Sequence, residues 1–178
     1  MCVGRIWVKE TIINVASVVV YYSKSCNTKA VAELIADGLG CEALPVNLME
    51  KKGRGTREER DREKALYAAA LRRGAGCRLV VVGTPTGFQK PKSMIRRLVR
   101  DVEAKAAALF CTYENKVGTT LTDLEDALRE RGIRVVGTLG LGGLKPGAFE
   151  GLDDEARGML LDRISGFVGL CREELNGP

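Results

Sequence analysis

Five short apolar runs punctuate this chain, and most of them lead into a longer stretch where apolar residues recur every three or four positions. Residues 18–22 are continuously apolar, β-branched and aromatic, as expected of a strand buried on both faces. The pattern predicts strands over 15–22, 41–46, 78–84, 106–112 and 133–139, with helices near 27–38, 57–73, 92–103 and 121–131. A last helix, 154–175, carries a stripe of Leu160, Ile164, Phe167, Val168, Cys171 and Leu175. No apolar run approaches the roughly 20 residues that cross a bilayer, and residues 1–14 lack the apolar segment of a signal peptide.

Local chemistry marks several boundaries. Thr56 and Glu59 fit a capping box before the second helix, and Thr122 and Glu125 offer another within the fourth. Pro91 is expected in the first turn of the third helix, and Gly74 and Gly132 suit left-handed caps. Strands alternating with helices predict an α/β protein, a parallel sheet covered on both faces. Its 178 residues suit one domain, 15–178, behind an extension, 1–14, that offers an edge strand at 6–8 or 11–15. Residues 53–56 are the expected mobile loop.

Composition narrows the chemistry. Histidine is absent, which excludes His-dependent triads, imidazole acid–base catalysis and His-containing metal sites. The six cysteines include no C-x-x-C pair, so zinc-ribbon and iron–sulfur readings fail, and most are expected to be small buried hydrophobes.

Three predicted strand–helix loops carry candidate binding groups at the carboxyl edge of the sheet. The first, Ser23-Lys24-Ser25-Cys26-Asn27-Thr28, places hydroxyls, an amide and backbone N–H groups at a helix start, which suits a phosphate; helix capping is its plainer use. The second, Thr84-Pro85-Thr86-Gly87-Phe88, is stiffened by Pro85, open at Gly87, and offers Phe88 to a flat ring, or is simply a rigid turn. In the third, Thr112-Tyr113-Glu114, Tyr113 can cover a ring or the loop can be a solvated connection.

These residues resemble the flavodoxin family. The first loop is similar to its phosphate loop, Ser/Thr-x-Thr-Gly-Asn-Thr, with Cys26 where that loop has glycine. Gly83–Phe88 is similar to its Gly-x-Pro-x-aromatic loop, and Phe110–Tyr113 to its third flavin loop, whose glycines this chain lacks before Gly118. The resemblance covers about residues 15–167. It implies a three-layer α/β/α sandwich with a five-stranded parallel sheet in order 2-1-3-4-5, and bound FMN. By position, Ser23, Ser25, Asn27 and Thr28 hold the phosphate; Lys24 adds a charge or points into water, and Cys26 is harmless if its side chain points away and weakens binding if it points inward. The loops Thr84–Phe88 and Thr112–Glu114 hold the isoalloxazine.

Charge adds a partner. Lys and Arg number 28 against 23 acids, and the excess is local: residues 51–73 hold nine basic and four acidic residues, and 89–100 five basic and none acidic. In the implied topology the second and third helices lie side by side, forming a basic face that attracts an acidic redox protein or a phosphorylated cosubstrate, or is simply a solvated, charge-rich surface. Nucleic acid fits poorly, with nine aromatics and no recognition motif. The expectation is a cytoplasmic FMN-dependent redox protein with a redox partner or NAD(P)H, passing electrons or reducing a quinone-like acceptor, and a homodimer is compatible with it. The alternative is a flavin-free interaction module docking an acidic partner through the basic face.

Overall fold

The structure is a computed structural model, and it describes residues 16–49 and 55–177. Five parallel strands, β1 (Ser17–Tyr21), β2 (Ala43–Pro45), β3 (Leu79–Pro85), β4 (Ala106–Thr112) and β5 (Arg134–Leu141), form one sheet in order β2-β1-β3-β4-β5. The expected order holds. Helices α1 (Asn27–Leu39) and α5 (Asp154–Asn176) cover one face; α2 (Arg57–Gly74), α3 (Ser93–Asp101) and α4 (Thr120–Arg129) cover the other.

The strand alternation explains both cores. Val19, Tyr21, Leu79, Val81 and Phe110 point toward Val31, Ile35, Ile164 and Phe167. Val18, Val20, Val80, Val82 and Leu109 point toward Ala70, Ile95, Leu98, Leu124 and Leu128. Each fully buried valine or leucine contributes roughly 1.5–3 kcal/mol, which is why these runs read as unbroken apolar strands. A β-carbon on Gly83 would collide with the Phe110 ring lying across it.

Boundaries moved where tertiary contacts decide them. The edge strand β2 keeps three residues of the expected six, and β5 runs on to Leu141 because Leu139 and Leu141 enter the core. Thr56 and Glu59 form the expected capping box, with Glu59 N–H donating to Thr56 Oγ1 at 3.2 Å and Thr56 N–H to Glu59 Oε2 at 2.6 Å. Thr122 forms none: α4 starts at Thr120 without a side-chain cap. Pro91 precedes α3 rather than opening it, since Lys92 is the N-cap. Gly74 stays helical against Val102, and Gly76 takes the left-handed turn instead (φ 83°), while Gly132 does so as expected (φ 74°). The suggested edge strands at 6–8 and 11–15, and residues 53–54 of the expected mobile loop, lie outside the described residues. Among the described residues no helix is long and apolar enough to cross a membrane.

Candidate functional site

The strand order reverses between β1 and β3, and the β1–α1 loop sits at that switch point. Three of its side chains hold the scaffold. Buried Ser23 and Asn47 bond reciprocally, Ser23 N–H to Asn47 Oδ1 at 2.9 Å and Asn47 Nδ2 to the Ser23 carbonyl at 2.7 Å. Ser23 Oγ also accepts from Lys29 N–H at 3.3 Å. Thr28 and Thr112 share a buried hydroxyl–hydroxyl bond of 2.8 Å. Asn27 donates to the Lys145 carbonyl at 2.7 Å and accepts from Phe149 N–H at 3.1 Å, tying the loop to a segment more than a hundred residues away.

The remaining residues face outward. Lys24 and Cys26 are exposed and Ser25 is half-buried. Cys26 is the N-cap of α1 and adopts a left-handed backbone (φ 64°, ψ −28°) without a side-chain cap. That is where glycine would be conformationally free, and a β-carbon costs about 1–2 kcal/mol there. Among the described residues, the N–H groups of Ser25, Cys26 and Thr28 have no acceptor within the protein. The first turn of α1 contains no acid. Free donors and the dipole end of a 13-residue helix therefore converge on one outward-facing seat.

The β3–α3 loop closes as a hairpin: Gly87 and Lys90 exchange backbone bonds of 2.9 and 3.0 Å around Phe88 (φ 51°) and Gln89 (φ 60°). This turn geometry favours Asn-Gly, and two ordinary residues hold it here. Phe88 is 103% exposed at the tip. Gly87 does not open toward a ligand: the Lys92 side chain lies across it. Thr84 is buried and accepts from Lys92 N–H at 3.4 Å, and Pro85 ends β3. Thr86 donates its N–H to the Thr112 carbonyl at 2.9 Å. Its buried hydroxyl has no nitrogen or oxygen partner, only the neighbouring Cys111 thiol. Burial pushes that thiol up to about 11, with the Thr86 contact pulling the other way.

The β4–α4 loop locks onto this hairpin. Gly118 (φ 56°) is so close to Gln89 that a β-carbon would collide with its backbone, and Thr119 N–H bonds the Gln89 carbonyl at 2.9 Å. Tyr113 lies over the glycines of β5 and its exit; a β-carbon on Gly142 would come within 2.6 Å of the ring. Exposed Glu114 accepts Gly143 N–H through its carbonyl at 3.0 Å.

All three sequence-predicted loops thus meet at one edge, together with parts that sequence reasoning missed. Asn47 and the segment 142–149 are structural partners of the first loop, with Gly147 N–H donating to the Ser25 carbonyl at 3.0 Å. The signal for the latter was the glycine-rich run Gly142-Gly143-Leu144-Lys145-Pro146-Gly147 directly after an apolar strand.

No protein-family model matches the sequence, and no curated protein matches it. Solved structures do. An NADH:FMN oxidoreductase in its apo form superposes with a TM-score of 0.59 at 15% identity, covering 86% of this chain and 88% of that one. A flavodoxin from Streptococcus pneumoniae gives 0.56 at 14% identity, over 88% and 98%. The fold is that of the flavodoxins. A flavodiiron core from Synechocystis gives 0.59 at 14% identity, and there the flavodoxin-like chain covers 90% of itself but 37% of the larger protein.

Proposed function

We propose that this flavodoxin-fold chain is an FMN-binding redox protein, transferring electrons or using NAD(P)H to reduce a quinone-like acceptor. The observation that carries it is the anion seat: unbonded Ser25, Cys26 and Thr28 N–H groups at a helix start, beside Lys24, with the Cys26 side chain exposed. A phosphate monoester placed there would gain charge-assisted bonds without displacing the buried Ser23, Asn27 and Thr28 contacts. The hairpin tip Phe88, Thr84–Thr86 and the Thr112–Glu114 loop would flank the ring.

Bound flavin would supply the electron or hydride chemistry, which suits a chain with no histidine. The protein's own part would be positioning. Interlocked loops fix the seat, the N-terminus of helix α1 favours the dianion, and the Gly118–Gln89 lock holds Phe88 at the edge.

Titration of the purified chain with FMN tests this. Saturable quenching of flavin fluorescence at micromolar concentration is expected. Cys26→Asp, which sets a carboxylate beside the bound phosphate, should leave folding intact and weaken binding by at least about tenfold through like-charge repulsion. Absence of binding by the unaltered chain would transfer support to the flavin-free module that docks an acidic partner.

A further inference from the structure

A groove leaves the phosphate-loop edge and runs between α2 and α3. Its inner end is a cleft of about 180 Å³ reaching Lys24 and Lys92, one lysine from each of two site loops. Its outer part, about 590 Å³, is walled by Arg60, Lys64, Tyr67 and Arg97. Glu63, Ser93 and Met94 line both parts, so the two adjoin. The outer part alone falls in the ~300–1,000 Å³ range of small-molecule sites.

The lining is ordered and cationic. Asp101 accepts from Tyr67 OH at 2.7 Å and from Arg97 Nε at 3.3 Å, and the Arg97 guanidinium sits 5.0 Å from the Tyr67 ring centroid. That arrangement leaves the terminal nitrogens of Arg97 without a partner among the described residues. Arg60 is steadied by the Gly55 carbonyl at 2.8 Å, and Lys64 pairs with Asp61 at 2.9 Å. Lys24 and Lys92 have no ion pair among the described residues. Glu63 accepts from Leu48 N–H at 3.2 Å, which orients one carboxylate oxygen toward the backbone. Five cations thus line the groove, two of them ion-paired (Lys64 with Asp61, Arg97 with Asp101), beside the Glu63 carboxylate, with a phenol ring and a thioether between them.

We propose that this groove binds a nucleotide carrying more than one phosphate group. The base would lie against Tyr67 and Met94, with phosphates met by Arg60, Lys64 and Arg97 and by Lys92 at the inner end. Planar guanidinium forks suit phosphate oxygens, and a stacked aromatic suits a purine. Resting on the flavin reading, the groove makes the phosphorylated nicotinamide dinucleotide the preferred cosubstrate over its unphosphorylated form. A concave channel with a ring wall favours a nucleotide over an acidic protein, whose surface would contact the convex side of α3.

Calorimetric titration of the full chain without FMN, using 2′,5′-ADP, 5′-AMP and inorganic phosphate, tests the groove separately from the flavin seat. The expected result is 2′,5′-ADP binding at least about tenfold tighter than 5′-AMP, the increment of one charge-assisted phosphate contact. Arg97→Gln and Lys64→Gln should each remove about that tenfold while FMN affinity and circular dichroism stay unchanged. The FMN-loaded chain should then oxidise NADPH in preference to NADH, a preference lost in Arg97→Gln. Equal, weak binding of all three anions, or insensitivity to both substitutions, overturns the proposal. So does a salt-sensitive association with an acidic protein that both substitutions abolish when no nucleotide binds. If FMN fails to bind while 2′,5′-ADP binds as described, the flavin reading falls and the groove stands; the converse sinks the groove alone.

Discussion

Single residues carry the strain and the locks of this edge. Cys26 holds a left-handed backbone that costs a β-branched or unbranched side chain alike, whereas glycine adopts it freely. Cys26→Gly should therefore raise stability by about 1 kcal/mol and tighten FMN binding, measured by urea unfolding and by titration. Gly118 has the opposite standing. It combines a positive φ with contact against the Gln89 backbone, so Gly118→Ala should lower stability by about 2 kcal/mol or more and release the Phe88 hairpin. Only the first was marked in the sequence, by Cys26 standing where the resembled loop has glycine. A lone glycine in a polar loop, such as Gly118, gives no sign of its neighbour.

The elements were far more legible than the joints between them. Strand β4 matched its predicted span because it is buried on both faces from end to end, so the apolar run and the strand coincide. Edge strand β2 is half-buried and short, and there the pattern overran the structure. Helix α2 buries little beyond Ala70 and Gly74, so its start was set by the Thr56 box rather than by a stripe. The first loop was readable as a cluster of small polar side chains. The division of labour within it was not, because Asn47, Thr112 and residues 145–149 are remote in sequence. Asn27 is the joint that tests this. Asn27→Ala leaves the Phe149 N–H without its acceptor and should cost about 1–3 kcal/mol. The loss should appear as faster hydrogen exchange in segment 142–149 before any change in the sheet.

At the scale of the whole molecule, titration and charge are distributed unevenly. With no histidine, no side chain has an ordinary pKa between about 5 and 8, so stability should be nearly flat across that interval. The alkaline side differs. Desolvation holds the Cys111 thiol up to about 11 and the Cys171 thiol up to about 12, against an ordinary 9.0, and Tyr21 rises to about 12 from 10.0. In that window the unfolded chain has already lost protons that the folded chain keeps. Stability is therefore full below about pH 9 and falls as pH rises through it, by up to about 1.4 kcal/mol per unit for Cys111. Urea midpoints measured from neutral to about pH 10 should show this decline, and Cys111→Ala should make it shallower.

The bond from Gly147 to Ser25, beside the Asn27 carboxamide, gives the edge a mechanical property. It staples the β1–α1 connection to the segment that leaves β5, so the complete seat exists only after residue 149 has been synthesised. An occupant there adds RT ln(1 + [L]/Kd) to the unfolding free energy of the entire body, not of one loop. Chains stopped short of residue 149 should consequently be unable to gain that protection, and a saturating ligand should raise the melting temperature only of chains that include the segment.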